Sequence, residues 1–184
     1  EKHLLLDSFI SLNVLKLSFL DWFKIRKKCK NIHKKFQILR VGDLNLFHLY
    51  KDEWEESFRG VSAISTILDF NLFSSIFTNL KKESKLIYLF ENQPWELALM
   101  NSWKQSKHAE IIGFAHTAIR FWDLRYFSYQ PKKFDSSVKH TEHVCSYKPD
   151  KVAVNGKLAK SECLRGGYTP EDLLEVEAVR YNFD

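Results

Sequence analysis

From Lys85 onward the chain repeats one pattern: a short apolar run, a polar break, then a stretch with helical spacing. Leu86–Phe90 reads LIYLF without interruption, as a strand buried on both faces should. It stops at Glu91-Asn92-Gln93, and Pro94 suits a first helical position, where a backbone N–H is not needed. A helix is predicted over Trp95–Lys107, then a strand over Glu110–Ala115. Lys151–Val154 is a third predicted strand, turning through Asn155-Gly156 into a helix over Lys157–Arg165 that Gly166-Gly167 stops. Thr169-Pro170-Glu171-Asp172 caps one more short helix before a strand-like run, Leu174–Val179. Strands that alternate with helices need right-handed crossovers, so the expected architecture is α/β: a mostly parallel sheet with helices on both faces, three layers in all. Ser128–Asp150, polar and holding two of the four prolines, reads as a long surface loop.

The first half has a different texture. Leu5, Phe9, Leu12, Leu15, Phe19 and Trp22 recur at three- and four-residue steps, which predicts a long N-terminal amphipathic helix that fades near Lys35. Leu5, Phe9, Leu12 and Phe19 are expected to face inward. Leu6, Ile10, Val14 and Leu17 widen the stripe, so cover on more than one side is expected. Asp7, Asn13, Lys16 and Asp21 interrupt the segment and leave no run of ~20 apolar residues to cross a bilayer. Phe36–Val41 is β-prone, and a second helical region spans Glu53–Leu80, with Gly60 and the Asp69–Asn71 patch as candidate breaks.

Charge bears on partners. The 184 residues carry net +5, which suits an anionic partner: a nucleotide, a phospholipid headgroup or a nucleic acid. Much of the excess lies in Arg26, Lys27, Lys28, Lys30, Lys34 and Lys35. The plain reading is a solvated helix face; the functional one is peripheral attachment to an anionic membrane surface. The stretch lacks the interleaved aromatics of a single-strand platform, so nucleic acid is not expected. Cys29, Cys145 and Cys163 are odd in number and have no metal-ligand spacing, which points to a reducing compartment, the cytoplasm. His140 and His143, near Cys145, are the nearest approach to a metal cluster, and no metal is expected.

In an open parallel sheet, ligands gather where strands end and loops enter helices. The strand ends here carry Glu91, His116 and Asn155. His116 is the leading candidate for a catalytic base, because imidazole exchanges protons near neutral pH. Its plain alternative is a histidine that pins the following loop. Glu91 is the second candidate, as base or as acceptor for sugar hydroxyls, against the bland role of a helix N-terminal charge. Glu96, in the first helical turn, fits that bland role more closely. Arg120, Asp123 and Arg125 sit among Phe121, Trp122, Tyr126 and Phe127, where they either grip a phosphate or carboxylate or pair with one another. Neither a Gly-x-Gly-x-x-Gly nor a Gly-Lys-Ser/Thr phosphate loop occurs, nor a Gly-x-Ser-x-Gly elbow, nor an Asp-x-Asp element.

The runs YLFENQPWELALMNSWK, IIGFAHTAIRFWDLRYF, PDKVAVNG and VEAVRY, in that order, resemble a family of bacterial surface-carbohydrate biosynthesis proteins associated with outer polysaccharide loci. Its broader relatives are glycosyltransferases of the GT-B architecture, including capsule and teichoic-acid polymer enzymes. The resemblance covers roughly Tyr88–Tyr181 and little before it beyond the Trp54, Ser57 and Gly60 spacing. It implies a cytoplasmic two-domain enzyme with its site between Rossmann-like halves. Residues 1–184 would be a single N-terminal, acceptor-side domain, inactive alone, and a C-terminal donor domain would lie beyond Asp184. The implied partners are a nucleotide-sugar donor, bound as substrate rather than cofactor, and a glycan or lipid-linked acceptor. The implied site is Glu91, Glu96, His116, Arg120, Asp123 and Arg125, with Asn155 as a further substrate contact. Two alternatives stay open: half of a nucleotide-sugar epimerase, and a non-catalytic glycan-binding scaffold.

Overall fold

A computed structural model describes residues 5–36, 40–41, 43–82, 85–117, 119, 126 and 148–177. The chain forms two compact units, Glu1–Leu80 and Lys81–Asp184. The first is helical. After a 3-10 turn at Leu6–Phe9 come α1 (Leu12–Phe36), a two-residue hairpin of β1 (Arg40–Val41) and β2 (Leu44–Asn45), then α2 (Phe47–Arg59) and α3 (Val61–Asn79). The second holds β3 (Lys85–Leu89), α4 (Pro94–Gln105), β4 (Glu110–Ala115), β5 (Lys151–Asn155), α5 (Gly156–Arg165), a 3-10 turn at Pro170–Asp172 and β6 (Leu173–Val176).

In the first unit α1 and α2 both pack on α3. The expected helical region over Glu53–Leu80 is two helices, and the break falls at Gly60, whose backbone is extended. The Glu56 side chain turns back to accept from Ser62 N at 2.8 Å, satisfying one of the open amides at the start of α3. The buried face of α1 is not the expected one. Leu12 is 86% exposed, Phe19 58% and Leu5 79%, and Phe9 is half-buried, while Val14, Ser18 and Cys29 are buried. The reason is polar. Asn71 of α3 donates from Nδ2 to Ile67 O at 3.1 Å and to Ser18 Oγ at 3.3 Å, with Asp21 Oδ2 at 3.4 Å. A buried amide needs partners, and Ser18 and Asp21 supply them from this side of α1. Lys24 bonds Asp21 at 2.8 Å and holds that carboxyl below its ordinary range.

The second unit is α/β, a four-stranded all-parallel sheet in the order β3-β4-β5-β6. It is compatible with a Rossmann-like fold. The first three strands lie within a residue of where the alternation predicted them; the last is Leu173–Val176 against an expected Leu174–Val179, of which 178 and 179 lie outside the described residues. Tyr88, Gly113, Val152 and Leu173 stand side by side across the ladder, which Phe90 N extends to Phe114 O at 2.9 Å. Tyr88, Gly113 and Val152 share one face of the sheet, and α4 packs on the Tyr88 end of it. Tyr88 reaches Met100 of α4 there, Phe90 meets the ring of Tyr126 edge-on at 5.4 Å, and Tyr168 donates to Tyr126 O at 2.6 Å. On the opposite side of β3, Ile87 is 67% exposed. Helices on both faces were expected; α4 lies on the Tyr88 face, and further along the sheet the opposite face is buried at Ile112 and Ala153.

Among the described residues Trp103 is the largest fully buried side chain, and its Nε1 donates to Ala109 O at 2.9 Å across the turn from α4 into β4. Asp150 does the same work at the start of β4 and β5, where Oδ2 accepts from Ile111 N at 2.9 Å. Gly113 is closely packed on the Tyr88 face. A Cβ there would stand 3.0 Å from both Phe90 Cβ and Pro149 Cγ. Gly113→Ala should therefore lower stability by about 1–3 kcal/mol through overpacking, read as a fall in melting temperature. An unchanged melting temperature would show that Phe90 and Pro149 give way freely.

Candidate functional site

The carboxyl edge of the sheet collects polar groups from three adjacent strands. After β3 the chain bends at Glu91, passes through Asn92 with a left-handed φ of 59°, and enters α4 at Pro94. Gln93 is the N-cap, and its side chain accepts from the amide of Glu96 while the Glu96 carboxylate reaches back, a reciprocal capping box. Glu96 Oε1 accepts from Gln93 N at 2.9 Å and from Glu91 N at 2.8 Å. The backbone that carries Glu91 is thus tied down by a carboxylate only 1% exposed.

His116 is the first residue past β4, and its Nε2 lies 3.3 Å from Oε1 of Glu91. Both side chains are about one-third exposed, so the pair meets solvent, and any ligand, at the edge. Asn155, the last residue of β5, donates from Nδ2 to the carbonyl of His116 at 3.2 Å. Its Oδ1 is buried without a hydrogen-bond partner among the described residues. Thr117, next in the chain, shares a hydrogen bond with the Tyr126 hydroxyl at 3.0 Å. One loop is therefore held from two sides, by an amide from β5 and by a phenol from the covered face.

Of the residues expected from the sequence, the fold brings Glu91 and His116 into direct contact and sets Asn155 behind His116. Glu96 was expected to touch substrate. It is instead sealed beneath Glu91 and acts on anything bound there only through the Glu91 backbone. Arg120, Asp123 and Arg125 lie outside the described residues. Sequence reasoning set Thr117 beside His116 at a strand end without a role of its own, gave Tyr126 no more than a place among the loop aromatics, and passed over Tyr168. An isolated threonine or tyrosine carries no spacing signal, and these three are linked only by folding. The Tyr168 phenol is pushed well above its ordinary range by burial, so it stays protonated and donates to Tyr126 O.

Charge is arranged differently at the opposite edge. Glu110 is flanked by Lys85 at 3.4 Å and Lys151 at 3.6 Å, a closed set of surface ion pairs. Lys148 pairs with Asp172 at 3.5 Å, and Asp172 also accepts from Thr169 N at 2.9 Å, which holds its carboxyl below the ordinary range. Cys163 is wholly buried on α5, and burial pushes its thiol up to about 11, so it is a packed apolar side chain rather than a nucleophile. No group of three or more metal-ligating side chains occurs among the described residues. Acid–base and hydrogen-bonding chemistry are what the Glu91–His116 edge offers.

Searches of family models, curated proteins and solved structures give no match to this chain.

The Glu96 contacts generate a test. Glu96→Ala leaves the amides of Glu91 and Gln93 without their acceptor and should cost about 1–3 kcal/mol of stability. Burial, partly opposed by the bonds from Gln93, Glu91 and Asn92, raises the Glu96 carboxyl above its ordinary range. A raised folded-state value means that the folded protein takes up the proton first as pH falls. The stability of the wild type relative to Glu96→Gln, which cannot titrate, should therefore increase on acidification through that raised value. A pH-independent difference in denaturant midpoints would show that Glu96 ionises as freely as in the unfolded chain.

Proposed function

We propose that this chain is the acceptor-binding half of a glycosyltransferase of bacterial surface-polysaccharide biosynthesis. In this reading residues 1–184 are the N-terminal, Rossmann-like side of a GT-B enzyme, led by the long amphipathic first helix. A donor domain beyond Asp184 would hold the nucleotide sugar. The resemblance over Tyr88–Tyr181 suggests the class. The observation that carries it to residues is the 3.3 Å approach of His116 Nε2 to Glu91 Oε1 at the carboxyl ends of two adjacent parallel strands.

The chemistry derives from that pair. An acceptor hydroxyl is a poor nucleophile until its proton has somewhere to go. At this edge the proton passes to the Glu91–His116 pair as the hydroxyl oxygen forms a bond to the anomeric carbon. The bond from that carbon to the nucleotide phosphate breaks, and the nucleotide leaves with the electron pair. The carboxylate stabilises the imidazolium formed when the proton rests on His116. Asn155, bonded to the His116 carbonyl, fixes where the ring is presented. The outcome suits an inverting displacement.

In the full-length protein His116→Ala should reduce sugar transfer by about 10²–10⁴-fold, with the melting temperature close to wild type. Glu91→Gln should reduce it as well, and the double variant should lose little more than the worse single, because the two share one proton. Near-normal transfer by His116→Ala would remove it as the base and leave Glu91. Lost transfer with a sharply lowered melting temperature would make His116 a loop anchor. Robust transfer by residues 1–184 alone would overturn the two-domain reading.

A further inference from the structure

Helix α1 carries a second feature that the proposed chemistry does not use. Between Leu12 and Phe36 there are eight Lys or Arg against the single Asp21, a net +7, where the whole chain is +5, so all other residues together are net −2. The charge excess of the protein is thus the property of one helix. That helix turns its Val14, Ser18 and Cys29 side inward and leaves the other side exposed. At 100° per residue, Leu12, Phe19, Phe23 and Lys30 fall within 40° of one another, with Lys16 and Lys27 just beside them. Leu12, Phe19 and Phe23 are exposed, the two rings meeting edge-on at 4.7 Å. The exposed stripe is therefore apolar in its first half and basic in its second.

Next to the stripe, between α1 and α3, a groove of about 240 Å³ is lined by Leu15, Ser18, Phe19, Trp22, Ile64 and Leu68. Arg26 lies over the Trp22 ring at 4.6 Å and joins the groove to the basic half of the helix. Asp21, the only acid of α1, points away toward Asn71 and is already paired with Lys24. No carboxylate of α1 opposes the basic half. A bare solvated face explains the lysines but not the exposed aromatics that continue them. A protein core explains the aromatics but not the lysines.

We propose that this face of α1 seats on an anionic phospholipid surface, with Leu12, Phe19 and Phe23 entering the acyl boundary and Lys16, Arg26, Lys27 and Lys30 at the headgroups. An interfacial helix needs this combination: a strong basic face, exposed aromatic and aliphatic side chains beside it, and no run long enough to span. The wider apolar stretch Phe47–Asn79 is a different case, being α2 and α3 broken at Gly60, with 39% of its most apolar window buried. Each basic residue held near an anionic surface adds severalfold to binding, and the effect fades within a Debye length. The inference is independent of the Glu91–His116 chemistry.

The test is sedimentation of the 184-residue chain with vesicles of phosphatidylcholine alone and of an equimolar phosphatidylcholine–phosphatidylglycerol mixture. Binding to the mixed vesicles only, weakened by added salt, is expected. Lys27→Glu with Lys30→Glu should reduce it on the order of tenfold or more. Phe19→Ser with Phe23→Ser should abolish it while circular dichroism keeps the helical signal; Leu12→Ser, which removes the most exposed of the three, should weaken it without touching the packed side. Absence of vesicle binding would overturn the proposal, as would equal binding to both vesicle types or binding unaffected by the phenylalanine and leucine changes. Retention on homopolymeric RNA without vesicle binding would assign the basic face to nucleic acid and overturn it equally.

Discussion

The polar groups of the carboxyl edge owe their meeting to parallel register. Tyr88, Gly113 and Val152 lie side by side, so β3, β4 and β5 run out together, and the polar residues at their ends arrive at one place. Neighbouring parallel strands are about 4.8 Å apart, close enough for residues one step past adjacent strands to touch. A slip by one residue would turn Tyr88 to the other face and carry Glu91 away from His116. The close fit of Gly113 against Phe90 and Pro149 guards that register, because a larger residue in the line would push the strands out of step.

Register brings the strand ends together, but it does not aim the side chains. That falls to buried polar groups a step behind the edge. Glu96 gathers the amides of Glu91 and Gln93, and Asn155 holds the carbonyl of His116. Both anchors reach across to backbone, which is costly to leave unpaired once covered. Glu91 and His116 are left to face each other, each about one-third exposed. Tyr126 extends the same logic, bonding Thr117 through its hydroxyl and Tyr168 through its carbonyl.

In the helical unit one buried amide has a similar influence. Asn71 cannot be covered without acceptors, and Ser18 with Asp21 supplies them from one side of α1. The choice leaves Leu12, Phe19 and Phe23 outside, although they are more apolar than the side that is buried. A hydrophobic stripe says that a helix has somewhere to bury surface. It does not say which neighbour takes it, and a polar pair of modest energy settles the rotation.

The sequence by itself determined the strand and helix order of the second unit, the parallel character of its sheet, and the candidacy of Glu91 and His116. Those rest on local physics: unbroken apolar runs, Pro94 at a helix start, Gly166-Gly167 at a helix end, and charge where a strand must stop. Tertiary structure decided that α4 would cover the Tyr88 face of the sheet, because an unbroken apolar strand is fit for burial on either face and its local pattern does not choose between them. It decided that α1 would bury Val14 and Ser18 rather than Leu12 and Phe19, because the deciding partner, Asn71, lies fifty residues further along the chain. It also moved Glu96 from an expected substrate contact to a buried brace, since a carboxylate in the first turn of a helix can face outward or fold back onto the turn. Only the packed β3–α4 corner, with two amides waiting, selects the second.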